Sequence, residues 1–477
     1  MTIIKSLLQR YKNMSPPIKA SLWYAVCNIF QKGISFIVVP VYVRLLTTSE
    51  YGRYTVFQSW RDIIIIFATL YLYGGVFTKA MVDYNKERDR FTSSMQGLST
   101  TLTIGLYLLY LPFSGHFNAL LDMDTLTVTF MFAYYLFSPS FLFWSTRQRV
   151  DYKFRAMIAV TLGSSVMVPV LSICLLLFTD LREKAVIWAF LLIQAALGLV
   201  FYVFSFIKDR TFFDRDYWAY ALKFNVPLIP HYLSIMILGQ ADRIMIKELC
   251  GEAKAAIYSL AYSISQLMTI ITGAINNTLT PWVYEHLKKK EYAALSKRTF
   301  ELCVLVGAMT MGVILICPEV VMIMGTSEYM EAIWVIPTVS LSVFVIFCYN
   351  LYSCVEFYYN STVSVMIASV ISALLNIVLN AIFIPAFGFA AAGYTTLACY
   401  SVLLLVHFLC ARSVLKNKLG ITSVYSDKKI AVLCVVFFVM MCLCLLLYSN
   451  TALRYISILV LAAATVIKRN EIIKLIW

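Results

Sequence analysis

Charge is what this sequence has least of. Asp, Glu, Lys and Arg make up 13% of its 477 residues, hydrophobic residues make up 61%, and mean hydropathy is +0.79. A soluble domain carries about 25% charged residues, so a soluble globule is excluded. No stretch between the apolar runs is long enough to fold as a separate domain, which places any chemistry inside the membrane. Cysteine motifs are lacking too. All of the 12 cysteines except Cys250 fall within apolar runs and there is no Cys-x-x-Cys, so they read as small buried hydrophobes and not as a disulfide framework or metal site. Acids are scarce: 25 Asp and Glu against 39 Lys and Arg give a formal charge of +14. The bases are scattered between apolar runs and form no basic domain, so headgroup contact and membrane orientation explain them and nucleic acid is not an expected partner. Asp-x-Asp, the metal loop expected of a glycosyltransferase, occurs only as Asp122-Met-Asp124 and Asp214-Arg-Asp216, both in short turns. A cleavable leader is not expected either, since the run 22–43 is too long for a signal peptide and lacks a small-residue cleavage site; that first span is expected to remain in the mature protein.

What is present is a series of apolar runs of about 20 residues, the length a bilayer requires. Runs such as Ile63 to Leu72 are continuous where barrel strands would alternate, so the expected class is all-α and polytopic. Hydropathy gives about 14 transmembrane helices, among them 22–43, 55–80, 224–247, 256–283, 363–384 and a short last one at 452–467. Segments around 208–223 and 284–298 read as short amphipathic helices on the cytoplasmic surface. Most of the lysines and arginines fall in alternate loops, which places both termini in the cytoplasm. The span-loop-span around Tyr51-Gly52-Arg53-Tyr54 has a counterpart at Ala255-Ala256-Ile257-Tyr258. That repeat suggests two six-helix halves around a central cavity plus two C-terminal helices. The expected division is an N-terminal lobe at 1–207, a C-terminal lobe at 208–411 and two extra helices at 412–477.

Lys32 lies at the centre of the first span, where a lipid-facing lysine costs roughly 2.5–3.5 kcal/mol. Asn28, Gln31, Lys32 and Ser35 fall at i, i+3, i+4 and i+7, a polar stripe that reads as the wall of a wet cavity; the alternative is a snorkelling or helix-joining lysine. Arg61, Lys79 and Arg243 are further bases within or at the ends of spans. Facing lipid, the four would cost on the order of 10 kcal/mol together, so solvation or pairing is required. Arg61 and Arg243 lie toward the outer end, Lys32 at the middle and Lys79 toward the cytoplasm, an arrangement suited to a moving anion. The competing reading pairs Asp62 with Arg61 and Asp242 with Arg243, but adjacent helical residues diverge in direction. Polar stripes also run through Tyr262, Gln266, Thr269, Asn276 and Asn277, and through Ser369, Ser372, Asn376 and Asn380. Asp62, His231, Asp242 and Glu356 are candidates for ion coupling.

At these residues the chain resembles the polysaccharide exporters and lipid-linked oligosaccharide flippases of the Wzx type, in the superfamily that also holds multidrug extruders and lipid II flippases. The resemblance rests on three stretches. The first is Gln31-Lys32-Gly33-Ile-Ser35-Phe36 leading to Arg44-Leu-Leu and Glu50-Tyr51-Gly52-x-Tyr54; the second is Asp242-Arg243-x-x-Ile246 with Ile257-Tyr258 and Ala261. The third is Leu375-Asn376-x-x-Leu379-Asn380-x-x-Phe-Ile384-Pro385-x-Phe-Gly388. Two departures, Ala256 where the family has glycine and Gly388-Phe-Ala-Ala391-Ala392-Gly393 in place of Gly-x-x-Gly-Ala-Ala, affect backbone packing and remove no charge. The resemblance implies transfer of an undecaprenyl-diphosphate-linked glycan across a bacterial plasma (inner) membrane in O-antigen or capsule assembly. Membrane lipid is then a partner, with polysaccharide polymerase and chain-length machinery as candidate partners, and no cofactor is implied. On that reading Lys32, Arg61, Arg243 and Lys79 hold the diphosphate, while Asn28, Gln31, Gln266, Asn276, Asn277, Asn376 and Asn380 meet sugar. A multidrug or cation extruder of the same fold is the alternative transporter, though acidic lumen residues would then be expected. A membrane polymerase or glycosyltransferase is the alternative from another class.

Overall fold

The computed structural model describes residues 16–359 and 361–469. Among the described residues the backbone is helical nearly throughout and contains no strand, because a chain buried in hydrocarbon must satisfy its own N–H and C=O groups. The helices form two compact units, one comprising the chain up to Val38 with Phe57–Leu233, the other Val39–Val56 with the chain from Ser234. Segment 208–233, which the sequence reading gives to the second lobe, packs within the first unit.

The first unit holds most of α1 (Pro16–Leu45) and α2 (Thr48–Thr69), then α3 (Gly75–Asp83), α4 (Arg88–Tyr110), α5 (Ser114–Leu121), α6 (Thr125–Val150), α7 (Phe154–Phe178), α8 (Glu183–Lys208) and α9 (Arg215–Asn225). α6 packs on α3, α4 and α8. The buried face of α4 is polar, with Ser93, Ser94, Gln96, Ser99, Thr100 and Thr103 inside. Such small polar residues let helices approach and bond to one another: Ser93 Oγ donates to the Asp209 carbonyl at 2.6 Å and Thr103 Oγ1 to that of Ala68 at 3.0 Å. The outward side chains are large and apolar, as at Phe178, which is 84% exposed.

The second unit holds the end of α1 and the start of α2, most of α10 (Ile229–Cys250), then α11 (Glu252–Lys289), α12 (Tyr292–Met324), α13 (Ile336–Tyr358), α14 (Thr362–Phe387), α15 (Ala391–Leu419), α16 (Asp427–Leu447) and α17 (Thr451–Ile467). α13 is apolar on nearly every face and is the core helix, in contact with α11, α12, α14, α15 and α16.

Among the described residues twelve helices are long and apolar enough to cross a membrane. α2 and α17, both expected as spans, are not among them: α2 carries Glu50, Arg53, Arg61 and Asp62, and α17 has 17 residues. The expected continuous span 55–80 is broken at Leu70–Gly74, where Leu70 and Tyr71 adopt left-handed φ of 49° and 53°. Asn225 Nδ2, fully buried, donates to the Leu70 carbonyl at 2.8 Å and holds the break. Gly74 and Gly75, poor helix formers, follow it. Nor does 284–298 form a surface helix of its own: α11 continues to Lys289 and α12 starts at Tyr292. The segment 208–223 is amphipathic as expected, but α9 buries Tyr217 and Ala221 against α3 and α4 and leads through a 3-10 turn into α10.

The Arg44 to Tyr54 motif has a packing explanation within the second unit. Arg44 donates to the Ile323 carbonyl in the last turn of α12, where a cation suits the helix end. Thr47 and Glu50 form a capping box at the start of α2, the Thr47 N–H donating to Glu50 at 2.8 Å and the Glu50 N–H to Thr47 Oγ1 at 3.3 Å. Arg53 pairs with Glu252 at 2.9 Å. A Cβ on Gly52 would lie 2.1 Å from the Glu252 carbonyl oxygen, so only glycine permits this contact. Gly393 does the same for α15 on α13, its Cβ position lying 2.3 Å from Thr338 Oγ1. Gly52→Val should therefore destabilise the protein by about 1–3 kcal/mol. Gly105→Val, where nothing lies within 4 Å, should change the unfolding temperature in detergent little.

Candidate functional site

The second unit contains a buried polar knot around one carboxylate. Asp242, on α10, is 2% exposed. It accepts hydrogen bonds from Tyr258 Oη of α11, Asn380 Nδ2 of α14 at 2.7 Å and Thr396 Oγ1 of α15 at 2.7 Å. Asn380 also donates to Asn376 Oδ1 at 3.3 Å and accepts from Thr395 Oγ1, and Asn376 Nδ2 lies 3.5 Å from Thr396 Oγ1. Four helices thus converge on a single aspartate through hydroxyls and amides. No lysine, arginine or histidine among the described residues forms an ion pair with it. Burying a charge is very costly, and these donors offset that cost at Asp242.

Arg243, the next residue, turns the other way. Its Nη1 donates to the Gly239 carbonyl at 3.1 Å and to Gln240 Oε1, and its guanidinium lies 4.5 Å from the centroid of the Tyr262 ring. The expected divergence of neighbours thus holds for Asp242 and Arg243. It fails for Arg61 and Asp62 in the first unit, where Nε and Nη2 reach back to Asp62 Oδ1 at 2.8 and 2.7 Å. The pairing that the sequence reading set aside is formed there, since a long arginine can fold back along its own helix. The Arg61 guanidinium also lies 4.5 Å over Phe190, which contacts Tyr134, while Tyr135 Oη donates to the Arg61 carbonyl at 2.8 Å. A cation over an aromatic face gains about 0.5–2 kcal/mol.

Lys32 is exposed on α1, together with Asn28 and Ser35, and forms no ion pair among the described residues. Gln31 leans onto α7, donating to Ser165 Oγ at 3.2 Å. Lys79 is exposed on α3, 5.7 Å from the Phe224 ring. On α11, Gln266 and Asn276 are half-buried and Asn277 is exposed. Asn276 and Asn277 make no side-chain hydrogen bond among the described residues. Asn376 and Asn380, expected to meet sugar, are both 0% exposed and belong to the Asp242 knot. His231 is half-buried in the first turn of α10, 5.9 Å from the Tyr232 ring.

Glu356 of α13 has a partner that the sequence reading missed, His407 of α15. Glu356 Oε1 and His407 Nδ1 are 2.7 Å apart, with the residues 0% and 1% exposed. Ser364 Oγ donates to the second carboxylate oxygen at 2.6 Å, and Tyr349 stacks on the imidazole with centroids 5.2 Å apart. The only available signal was a second ionisable residue inside an apolar run, since 51 positions separate the partners.

Helices long and apolar enough to cross a membrane, with buried carboxylates inside them, make this a multi-pass membrane protein. Among solved structures, the lipid II flippase MurJ in an inward closed conformation superposes with a TM-score of 0.67 at 14% identity, covering 94% of this chain and all 100% of that one. An inward-facing multidrug resistance MATE family transporter of the MOP superfamily gives 0.60 at 17% identity, covering 81% and 96%. At such identities the likeness concerns the fold. An uncharacterized membrane protein of Haemophilus influenzae is 26% identical over 279 residues, spanning 57% of this chain and 66% of that protein, just under two thirds of its length. The chain belongs to the polysaccharide biosynthesis protein family, whose profile matches residues 18–286.

Two stability measurements test the knots. Asn380→Ala removes a donor from a buried carboxylate and should cost about 1.5–3 kcal/mol in thermal unfolding. Asp242→Asn, which removes the charge and keeps the shape, should cost less. His407→Ala should cost about 3–5 kcal/mol, because it strands the Glu356 carboxylate, and adding Glu356→Gln should recover part of the loss.

Proposed function

We propose that this protein is a flippase that carries an undecaprenyl-diphosphate-linked oligosaccharide repeat unit across the bacterial plasma (inner) membrane for O-antigen or capsular polysaccharide assembly, both termini cytoplasmic. The observation that carries the reading is Arg243: a half-buried guanidinium on a spanning helix, bonded among the described residues only to uncharged acceptors, while the adjacent carboxylate faces elsewhere. Such a cation calls for an anionic ligand, and the planar guanidinium fork suits a diphosphate. Lys32 in the first unit, exposed at the middle of its span and with no acidic partner among the described residues, is a further cation suited to phosphate as a point charge. Arg61 engages with Asp62 already bound to it, so its contribution is weaker than that of Arg243. Asn276 and Asn277 offer to sugar hydroxyls amides that make no side-chain hydrogen bond among the described residues. The Asp242 knot serves ion coupling: a proton or cation bound there compensates the carboxylate, and its release changes the balance between inward and outward states. Membership in a polysaccharide biosynthesis family favours a glycan over a drug as cargo.

The test is complementation of a flippase-null strain with variants made at wild-type levels. Arg243→Ala and Lys32→Ala should each lower polymer export by about tenfold or more, as loss of a charge-assisted hydrogen bond implies. Arg243→Lys should fall between, because the fork is lost and the charge kept. Asp242→Asn should leave binding of the lipid-linked glycan in place and abolish the dependence of transport on an ion gradient. Wild-type export from both alanine variants would reject the assignment. Formation of new glycosidic bonds in liposomes, in place of movement of the glycan, would reject the transporter reading.

A further inference from the structure

α15 and α16 each pack on α13, and a slot of about 410 Å³ opens between them. Leu404, Leu405 and Phe408 wall it on one side, Ile430, Ala431 and Cys434 on the other. Leu405 is 54% exposed, so the slot opens to the surroundings of the bundle. One end is polar. Asp427 and Lys428, in the first turn of α16, stand there, and a crevice lined by Arg412, Thr422 and Ser423 continues it. Tyr352 Oη donates to Asp427 Oδ1 at 3.1 Å, which fixes the carboxylate against α13. Lys429 is turned aside, 5.7 Å from the Phe300 ring. Lys428 and Arg412 are both exposed and neither has a carboxylate partner among the described residues. The mouth therefore carries two cations against one engaged acid, at the head of an apolar channel between spanning helices.

In a bilayer this arrangement has a complementary occupant: an apolar chain fills the slot while an anion sits between the ammonium and the guanidinium. We propose that the slot is a binding site for one anionic phospholipid of the surrounding membrane, its acyl chain lying between α15 and α16 and its phosphate at Lys428 and Arg412. The site involves none of the residues assigned to glycan transfer and goes beyond that function.

The full-length protein, purified in mild detergent, is titrated with phosphatidylglycerol and phosphatidylcholine and the bound lipid is counted by native mass spectrometry. Wild type should hold one phosphatidylglycerol in preference to phosphatidylcholine. The Lys428→Ala, Arg412→Ala double variant should bind it about twentyfold more weakly, and Leu405→Trp, which fills the slot, should abolish retention at unchanged unfolding temperature. If that variant fails to fold, Ala431→Leu narrows the same channel. Millimolar inorganic phosphate should not displace the lipid, nor should an equal concentration of a polyprenyl phosphate. Retention that ignores both sets of variants, equal binding of phosphatidylcholine, or displacement by phosphate or by the polyprenyl phosphate would each overturn the proposal.

Discussion

A charged group inside a bilayer must find water, a partner or a ligand, and that requirement governs where this chain places its few ionised side chains. The protein meets it in several ways. Arg61 binds the carboxylate beside it and an aromatic face above it. Arg454 is buried on α17 against Glu319 of α12. Glu356 and His407 satisfy each other at the contact of α13 and α15. Asp242 draws donors from three other helices and pairs with no base among the described residues. Among the described residues Arg243 has neutral acceptors alone. Ion pairs compensate the first three of these, and hydrogen bonds with uncharged groups hold the last two.

The same constraint shapes both surfaces of the helices. The surface toward lipid is built of Phe, Leu, Ile and Val, and the contacts between helices combine an apolar core with buried Ser, Thr and Asn. Close approach therefore depends on small side chains: Gly52 against the start of α11 and Gly393 against α13 occupy positions where a single methyl would strike a neighbour. These contacts explain part of the motif residues without recourse to transport. In the stretch around Glu50, Gly52 sets the helix approach and Thr47 with Glu50 caps the helix start.

Hydropathy was sufficient to read the class and most spans, because apolar length is a local property. Helix ends were less legible, yet Thr47-x-x-Glu50 is a capping signature open to recognition from the sequence. Asn376 and Asn380 show the limit of periodicity. Their spacing of four correctly puts them on one face, but nothing local tells whether that face meets a lumen or Asp242 on α10 and Thr395 and Thr396 on α15. His407 was missed for a related reason, as its meaning depends on a glutamate far off in the chain. The Arg61–Asp62 pair shows the reverse: direction on a helical wheel describes Cβ atoms, and a guanidinium several bonds away can return.

The interruption between α2 and α3 carries a mechanical implication. Two consecutive non-glycine residues in left-handed backbone each cost about 1–2 kcal/mol that a straight helix would not incur. The bend is thus loaded like a cocked latch, with the amide of Asn225 on the Leu70 carbonyl as its catch.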